Sequence, residues 1–182
     1  MKLELIAFTQ RGSDLALRLA DTLSCHGHQA ACTRDGLKAE EWAGRAFSRC
    51  DGLIFVGAAG IAVRAIAPYL RHKSTDPAVV VVDERGQFVI PILSGHLGGA
   101  NDLAREIAAL TGAVPVITTA TDVNGVFAVD QWARRQGLMV CNPERILPVS
   151  SRLLAGETVW FFSAWPIAGE LPRGLRPASR EE

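Results

Sequence analysis

Hydrophobic and polar positions follow two different periods along most of this chain. Short β-branched runs, in which nearly every residue is apolar, recur between longer stretches where apolar residues lie three and four apart. The short runs are typical of buried strands, and the longer stretches are typical of amphipathic helices. The pattern therefore predicts an α/β protein with a doubly wound, mostly parallel sheet and helices on both faces.

The predicted elements follow one another at short intervals. Strands are predicted at residues 3–8, 29–33, 53–56, 78–82, 87–92, 114–118, 138–141 and 158–163, and helices at residues 13–27, 40–49, 61–70, 100–110, 126–136 and 145–154. Ser13 is the predicted N-cap of the first helix. The turn sequence DERG at residues 83–86 predicts that the sheet contains one antiparallel β-hairpin.

The elements divide into a larger and a smaller group. An α/β N-terminal domain is predicted at residues 1–137, and residues 138–182 are expected to hold a short helix and strand before a flexible tail. This second region is crowded with aromatic side chains, namely Trp160, Phe161, Phe162 and Trp165. Two interpretations stay open for them, one buried terminal strand or a docking surface.

Composition restricts the class of protein. The chain has 182 residues, 48% of them hydrophobic, with 19 basic and 19 acidic side chains. This composition fits a globular core and gives no bulk charge that favours a nucleic acid or an anionic membrane as partner. The N-terminus lacks the pattern of a secretory signal, and the longest apolar run, residues 78–82, is too short to cross a bilayer. A soluble, cytoplasmic protein is expected.

The cysteines form no CxxC pair, which predicts reduced, partly buried thiols at Cys25, Cys32, Cys50 and Cys141. The sequence CHGH at residues 25–28 brings potential metal ligands together. Adjacent ligands in a glycine-containing turn cannot easily converge on one ion, so no protein metal site is predicted there.

Ligands of open α/β sheets bind where strands end and helices begin, and three such junctions here are rich in glycine, hydroxyl and amide groups. The first, GAAGIAVR at residues 57–64, places Gly57 and Gly60 between a buried strand and a helix, so the main chain can approach an anion closely. Arg64 would add a full charge. The alternative is that the glycines only allow tight packing of helix against strand.

The second junction is SGHLGGAN at residues 94–101. His96 lies in a glycine-rich loop with no apolar reason to hold an imidazole, and histidine exchanges a proton near neutral pH. It is predicted as an acid or base, or alternatively as a histidine that only hydrogen-bonds the loop. The predicted substrate contacts around it are Ser94, Gly95, Gly98, Gly99 and Asn101.

The third junction, TTATDVNG at residues 118–125, is dense in polar side chains. Asp122 could act as a base or orient His96. The predicted partners of a carbonyl or carboxylate are Thr118, Thr119, Thr121 and Asn124. The alternative is that Asp122 and Asn124 only cap the next helix. Since the sequence has no GxSxG nucleophile elbow, water activated by a general base is favoured over an acyl-enzyme.

Three strings carry a family resemblance: FVGAAGIAVRAIAPYL at residues 55–70, TDPAVVVVDERGQFVIPILSGHLGGAND at residues 75–102, and PVITTATDVNGVFAVDQWA at residues 115–133. In this order they resemble the cobalt-precorrin 5A hydrolase family, over about residues 8–133. The resemblance implies hydrolysis of the δ-lactone of cobalt-precorrin 5A, with release of acetaldehyde to give cobalt-precorrin 5B, in anaerobic cobalamin (vitamin B12) biosynthesis. Residues 138–182 would then be the start of the family's middle region.

The resemblance also implies what the protein binds. The partner would be a cobalt-corrinoid tetrapyrrole, with cobalt carried by the substrate and no cofactor held by the protein. A C-terminal domain of the same family, separate or fused, would complete the protein, and neither nucleic acid nor membrane is expected as a partner. Whether the chain is active without that domain stays open.

For this chemistry, His96 and Asp122 are the candidate acid or base groups, and Thr119, Thr121 and Asn124 are the candidate oxyanion donors. Arg64 and the turn of residues 57–60 would hold peripheral carboxylates of the macrocycle. The alternative function is a non-catalytic corrinoid-binding or scaffolding domain. A nucleotide- or phosphate-binding domain is a third possibility, supported only by the turn of residues 57–60.

Overall fold

The computed structural model describes residues 1–33 and 36–179. The chain divides into two compact units, unit 1 at Met1–Ile117 and unit 2 from Thr118 onward. The sequence placed a domain boundary between residues 137 and 138, and that boundary stays a prediction.

Unit 1 is an α/β unit built on one six-stranded sheet, in the order β2-β1-β3-β4-β5-β6. Its elements are β1 (Lys2–Ala7), α1 (Gln10–Cys25), β2 (Gln29–Cys32), α2 (Ala39–Ala46), β3 (Gly52–Val56), α3 (Ala59–Ile66), β4 (Ala78–Val82), β5 (Phe88–Leu93), α4 (Ala100–Thr111) and β6 (Val114–Pro115). Strands β1 to β4 run parallel, β5 is antiparallel to β4, and β6 is parallel to β5. The predicted fold class and the predicted hairpin are confirmed.

Both faces of the sheet are covered by helices. One core joins α1 and α4 to side chains such as Leu5 and Ile54, and the other joins α2 and α3 to side chains such as Leu53 and Phe55. Neighbouring residues of β3 therefore belong to opposite cores, which is why β3 is apolar at every position after Gly52. Burial of one such large side chain stabilises the fold by about 1.5–3 kcal/mol.

Helix α1 begins earlier than predicted. Thr9, not Ser13, is its N-cap, because Thr9 Oγ1 accepts a hydrogen bond from the Gly12 amide at 3.0 Å and the backbone of Thr9 is extended. The Ser13 amide instead donates to the Thr9 carbonyl oxygen at 2.9 Å, inside the helix. The Thr9 hydroxyl also donates to the Glu84 carboxylate, a residue distant in sequence. Thr9 and Ser13 are both residue types that favour an N-cap position. The contact of Thr9 with Glu84 cannot be read from the local sequence.

Unit 2 contains α5 (Ala120–Val123), α6 (Val129–Arg135), α7 (Ile146–Leu154), β7 (Val159–Phe161) and β8 (Leu175–Pro177). Strands β7 and β8 pair in parallel, so β8 lies within the segment predicted to be a flexible tail. The strand predicted at residues 138–141 is wrong. Leu138 and Met139 are 55% and 87% exposed there, because this apolar run has no neighbouring strand to pair with in the described chain.

None of the helices in residues 1–33 and 36–179 is both long enough and apolar enough to span a membrane.

The cysteines are all free thiols. Cys32 and Cys50 are half-buried as predicted, whereas Cys25 and Cys141 are exposed, so the predicted partial burial of these two is wrong. Near Cys25, the imidazoles of the CHGH segment have separate partners. His28 Nε2 lies 2.9 Å from Glu106 Oε1, and His26 Nδ1 lies 2.8 Å from the Thr22 carbonyl oxygen. Within the described ranges, no group of three His, Cys, Asp or Glu side chains could hold a metal ion.

The Cys50 thiol has a pKa well above its ordinary value. Partial burial, the hydrogen bond that its Sγ donates to Glu4 Oε2 at 3.5 Å, and the negative charge of Glu4 together raise the pKa of the Cys50 thiol from 9.0 to about 11. Because the pKa is raised on folding, this group favours the folded state below pH 9.0, and that contribution is lost as the pH rises toward 11.

Alkylation of Cys50 by iodoacetamide is therefore expected to reach half its maximal rate near pH 11, since only the thiolate reacts. Mass spectrometry of the peptide that contains Cys50 measures this rate apart from the other thiols. Cys50→Ser lacks this thiol and gives the background of the measurement. A midpoint near 9.0 would show that Glu4 and burial do not act on this thiol.

Candidate functional site

The carboxyl ends of β1 and β3 form the first candidate region. In the order β2-β1-β3, strands β2 and β3 lie on opposite sides of β1. The direction of strand addition therefore reverses at β1, and such a reversal opens a crevice at the carboxyl ends of the strands. Gly57 follows β3 with a φ of 154°, and its amide donates to the Val82 carbonyl oxygen at 2.9 Å. A Cβ at Gly57 would lie 3.1 Å from the Phe8 ring, so both the backbone and the packing favour glycine there.

Arg64 contributes a positive charge to this region, which also holds the Glu84 carboxylate. The residue is exposed on α3, and its Nη1 lies 3.7 Å from the place where a Cβ of Gly60 would stand, so the guanidinium reaches back toward the first turn of its own helix. Arg64 has no hydrogen-bond or ion-pair partner in the part of the chain that the structure describes. The structure thus brings Gly57, Gly60 and Arg64 to one end of the sheet, and the guanidinium is available to an anion.

The loop that carries His96 is tightly closed. Ser94 has a φ of 55°, a left-handed backbone that is uncommon for any residue except glycine. A Cβ at Gly98 would stand 2.4 Å from Ser94 Cβ and 2.9 Å from the Ser94 carbonyl oxygen. The Ala100 and Asn101 amides donate to the carbonyl oxygens of Ser94 and Gly95, at 3.1 and 3.0 Å. These bonds fold the loop back onto the start of α4 and use two of the free amides of that helix end.

Three polar side chains of this loop differ in their surroundings. His96 is half-buried, and Asn101 is 2% exposed. The Asn101 amide packs against Gly95, where a Cβ would stand 2.8 Å from Asn101 Oδ1. Ser94 Oγ is buried and has no hydrogen-bond partner among the described residues. An unpaired buried hydroxyl costs about 1–3 kcal/mol, and such strain and polarity cluster at functional sites.

The first two junctions lie at opposite ends of β4. Gly57 is hydrogen-bonded to Val82 at the end of this strand, whereas Gly98 lies beside Ala78 at its start. The reason is the hairpin, because β5 runs antiparallel to β4 and ends beside the start of β4, directly before Ser94. The length of β4 separates the two regions by about 15 Å. A single ligand that contacts both must therefore be large.

The third junction opens unit 2 and forms the short helix α5. Thr121 is 6% exposed, and Asp122 is half-buried in the first turn. Asn124 Nδ2 donates to the Ala120 carbonyl oxygen at 2.8 Å, so this side chain caps the end of α5 itself. Thr119 is the N-cap residue of α5, without a side-chain capping bond. The structure thus places the predicted residues from Thr118 to Asn124 in unit 2 and His96 in unit 1.

Two features of these regions were missed from the sequence. The Thr9 hydroxyl and the Glu84 carboxylate meet at the carboxyl ends of the strands, and the left-handed backbone of Ser94 precedes His96. The position of Thr9 directly after an apolar strand was an available signal for the first. The second has no signal in a single sequence, because serine is not a residue type that marks a positive φ.

Comparison with known proteins shows similarity to one family. The model of the cobalamin synthesis G N-terminal family matches residues 41–122, which contain every predicted site residue except Asn124. The chain is 42% identical over 135 residues to a cobalt-precorrin-5A hydrolase of Priestia megaterium, covering 69% of this chain and 36% of the relative. It is 61% identical over 89 residues to a cobalt-precorrin-5A hydrolase of Salmonella typhimurium, covering 49% of this chain and 25% of the relative.

A solved structure agrees in fold. The crystal structure of a cobalamin biosynthesis protein G homolog from Sulfolobus solfataricus superposes with a TM-score of 0.60, covering 96% of this chain and 52% of that one, at 23% identity. The chain spans about a third and a quarter of the lengths of the two hydrolases that it matches. The predicted resemblance is confirmed, since the chain is similar to cobalt-precorrin-5A hydrolases and its residues 41–122 match the cobalamin synthesis G N-terminal family.

Proposed function

We propose that this chain takes part in hydrolysis of the δ-lactone of cobalt-precorrin 5A, with release of acetaldehyde to give cobalt-precorrin 5B in anaerobic cobalamin biosynthesis. The observation that carries the proposal is the His96 loop. It holds a half-buried imidazole beside a strained serine with an unpaired hydroxyl, within the region that matches the family. Tight backbone geometry around a titratable side chain is what acid–base catalysis requires.

The first step is opening of the lactone. His96 takes a proton from water, the hydroxide adds to the lactone carbonyl carbon, and the negative charge collects on the carbonyl oxygen. Collapse of this adduct breaks the ring C–O bond and leaves a carboxylic acid and an alkoxide, which takes the proton from His96. The Ser94 hydroxyl is proposed as one donor to the oxyanion, because it is buried without another partner among the described residues.

The second step releases the two-carbon fragment. A base removes the hydroxyl proton of the new alcohol, its C–O bond becomes the carbonyl of acetaldehyde, and the C–C bond to the macrocycle breaks. The electron pair passes into the conjugated ring, where it is protonated. Asp122 is the proposed second acid or base, with Thr119, Thr121 and Asn124 as proposed donors in unit 2.

The macrocycle is proposed to be held by its edge. Arg64, which has no partner among the described residues, and the turn of Gly57 and Gly60 would bind peripheral carboxylates. Cobalt belongs to the substrate in this proposal, and no cofactor is assigned to the protein. A C-terminal domain of the family, separate or fused, is the proposed protein partner, and the proposed location is the cytoplasm.

The test is anaerobic incubation of the chain with cobalt-precorrin 5A, alone and with a C-terminal domain of the family, while acetaldehyde and the mass of the macrocycle are measured. We expect acetaldehyde in at least one of the two incubations. Release by the chain alone would place the catalytic groups within these residues, and release only with the added domain would show a composite site. Binding of the corrinoid without release in either incubation would replace the proposal by a corrinoid-carrying or scaffolding role.

A further inference from the structure

Unit 2 contains a surface cavity, and Asn124 is the one lining residue that the reaction steps above use. Its volume is about 660 Å³, and its wall is formed by the ends of α5 and α7 and by the chain entering and forming β8. Asn124, Leu153, Arg173 and Arg176 are among the residues that line it. The cavity is therefore large enough for part of a sizeable ligand, and two guanidinium-bearing residues border it.

The small sheet of unit 2 has one packed and one open face. Leu175 of β8 is buried, and the preceding Gly174 packs against Leu153 of α7, where a Cβ would stand 2.8 Å from Leu153 Cδ2. On the opposite face, Trp160 of β7 is 64% exposed and is in register with Arg176 of β8. Residues in register on neighbouring strands project to the same side, so the indole and this guanidinium lie side by side.

Three of the four clustered aromatic side chains are thus open to solvent and Phe161 is half-buried, contrary to the interpretation as one buried terminal strand. Trp160, Phe162 and Trp165 are 64%, 52% and 80% exposed. The strand exists as β7, but among the described strands it has only β8 beside it, and it packs against α7. An exposed apolar patch beside polar or charged residues is typical of an interaction or ligand-binding surface.

Two arginines give the cavity wall positive charge, and one of them, Arg176, is in register with Trp160. Arg173 and Arg176 have no hydrogen-bond or ion-pair partner among the described residues. Glu157 also lines the cavity, but its carboxylate forms an ion pair with Arg152, with Oε2 at 4.0 Å from Arg152 Nε. A ligand with carboxylates is therefore complementary to this part of the wall, because guanidinium groups bind carboxylates in a paired geometry.

We propose that Trp160, Arg173 and Arg176, together called the Trp160 platform, form a docking site for the flat macrocycle of a polycarboxylated tetrapyrrole. The indole stacks on the apolar face of the ring, and the two guanidinium groups bind carboxylates at its edge. The identity of the ligand rests on the proposed function. The site is distinct from the residues proposed for catalysis and assigns to unit 2 the recognition of the substrate.

The platform is tested by titrating the full chain with cobyrinic acid, a cobalt corrinoid with free peripheral carboxylates, and with the same macrocycle carrying neutral amides. We expect R173Q/R176Q to bind cobyrinic acid about a hundredfold more weakly, since each lost charge-assisted contact weakens binding about tenfold. W160L is expected to weaken both ligands about tenfold. The amide should bind R173Q/R176Q as it binds the parent chain.

Matched controls are R145Q and W165L, which change exposed side chains of the same types in unit 2 that lie outside β7 and β8 and do not line the cavity. Both should bind as the parent does. Equal affinity of R173Q/R176Q and the parent, a loss in R145Q as large as theirs, or no binding by the parent would each overturn the platform. Acetaldehyde release on the same preparations separates the two proposals. Platform-dependent binding without release contradicts only the proposed function, and release by R173Q/R176Q with unchanged KM contradicts only the platform.

Discussion

His96→Gln is expected to lower kcat for acetaldehyde release by about a hundredfold to ten-thousandfold, the usual contribution of a positioned acid or base. Glutamine keeps a polar side chain of similar reach in the loop but cannot take up a proton. The loop itself should survive, because its backbone bonds from Ala100 and Asn101 to Ser94 and Gly95 do not involve the imidazole. The assay is acetaldehyde release under anaerobic conditions with the domain composition that is active for the parent.

The matched control is His26→Gln, because His26 is exposed at the end of α1 and its ring is hydrogen-bonded to the Thr22 carbonyl oxygen. This variant should retain the parental rate. If His96→Gln also retained it, His96 would be a loop-holding histidine, and Asp122 would become the leading acid–base candidate. A fall in kcat with unchanged thermal stability is the result that assigns His96 to the chemistry.

Gly98→Ala is expected to destabilise unit 1 by about 1–3 kcal/mol, the usual cost of overpacking, and to abolish most of the acetaldehyde release. The added Cβ would stand 2.4 Å from Ser94 Cβ and 2.9 Å from the Ser94 carbonyl oxygen. The second contact is with backbone, so relief requires movement of the loop that holds His96. Denaturant unfolding monitored by far-UV circular dichroism measures the stability, and the acetaldehyde assay measures the function.

Gly60→Ala is the stability control for this substitution. Gly60 is helical, has no positive φ, and its added Cβ would meet nothing nearer than Arg64 Nη1 at 3.7 Å. Alanine should therefore stabilise α3 slightly, by about 0.5–1 kcal/mol. Equal stability of Gly98→Ala and the parent would show that the loop can open without cost, and the close packing of Ser94 and Gly98 would then have no role in positioning His96.

The α/β class and most elements of unit 1 follow from hydrophobic periodicity. Strands β3 and β4 are continuous apolar runs because helices cover both faces of the sheet, and DERG closes a hairpin because its residue types favour a tight turn. The prediction failed where an apolar run had no partner, as at residues 138–141, and where two capping residues competed, as at Thr9 and Ser13. Periodicity reports which residues can be buried, not whether a neighbour exists to bury them.

By itself, the sequence determined the family resemblance, the fold class and the polar segments that carry the candidate chemistry, because these are properties of local pattern and of motif order. Only the tertiary structure decided where those segments lie. The antiparallel course of β5 sends the His96 loop to the end of β4 opposite Gly57 and Arg64. The parallel pairing of β7 with β8 brings Arg176 beside Trp160, sixteen positions apart in sequence. Strand direction and register arise from packing between distant segments, which no local pattern contains.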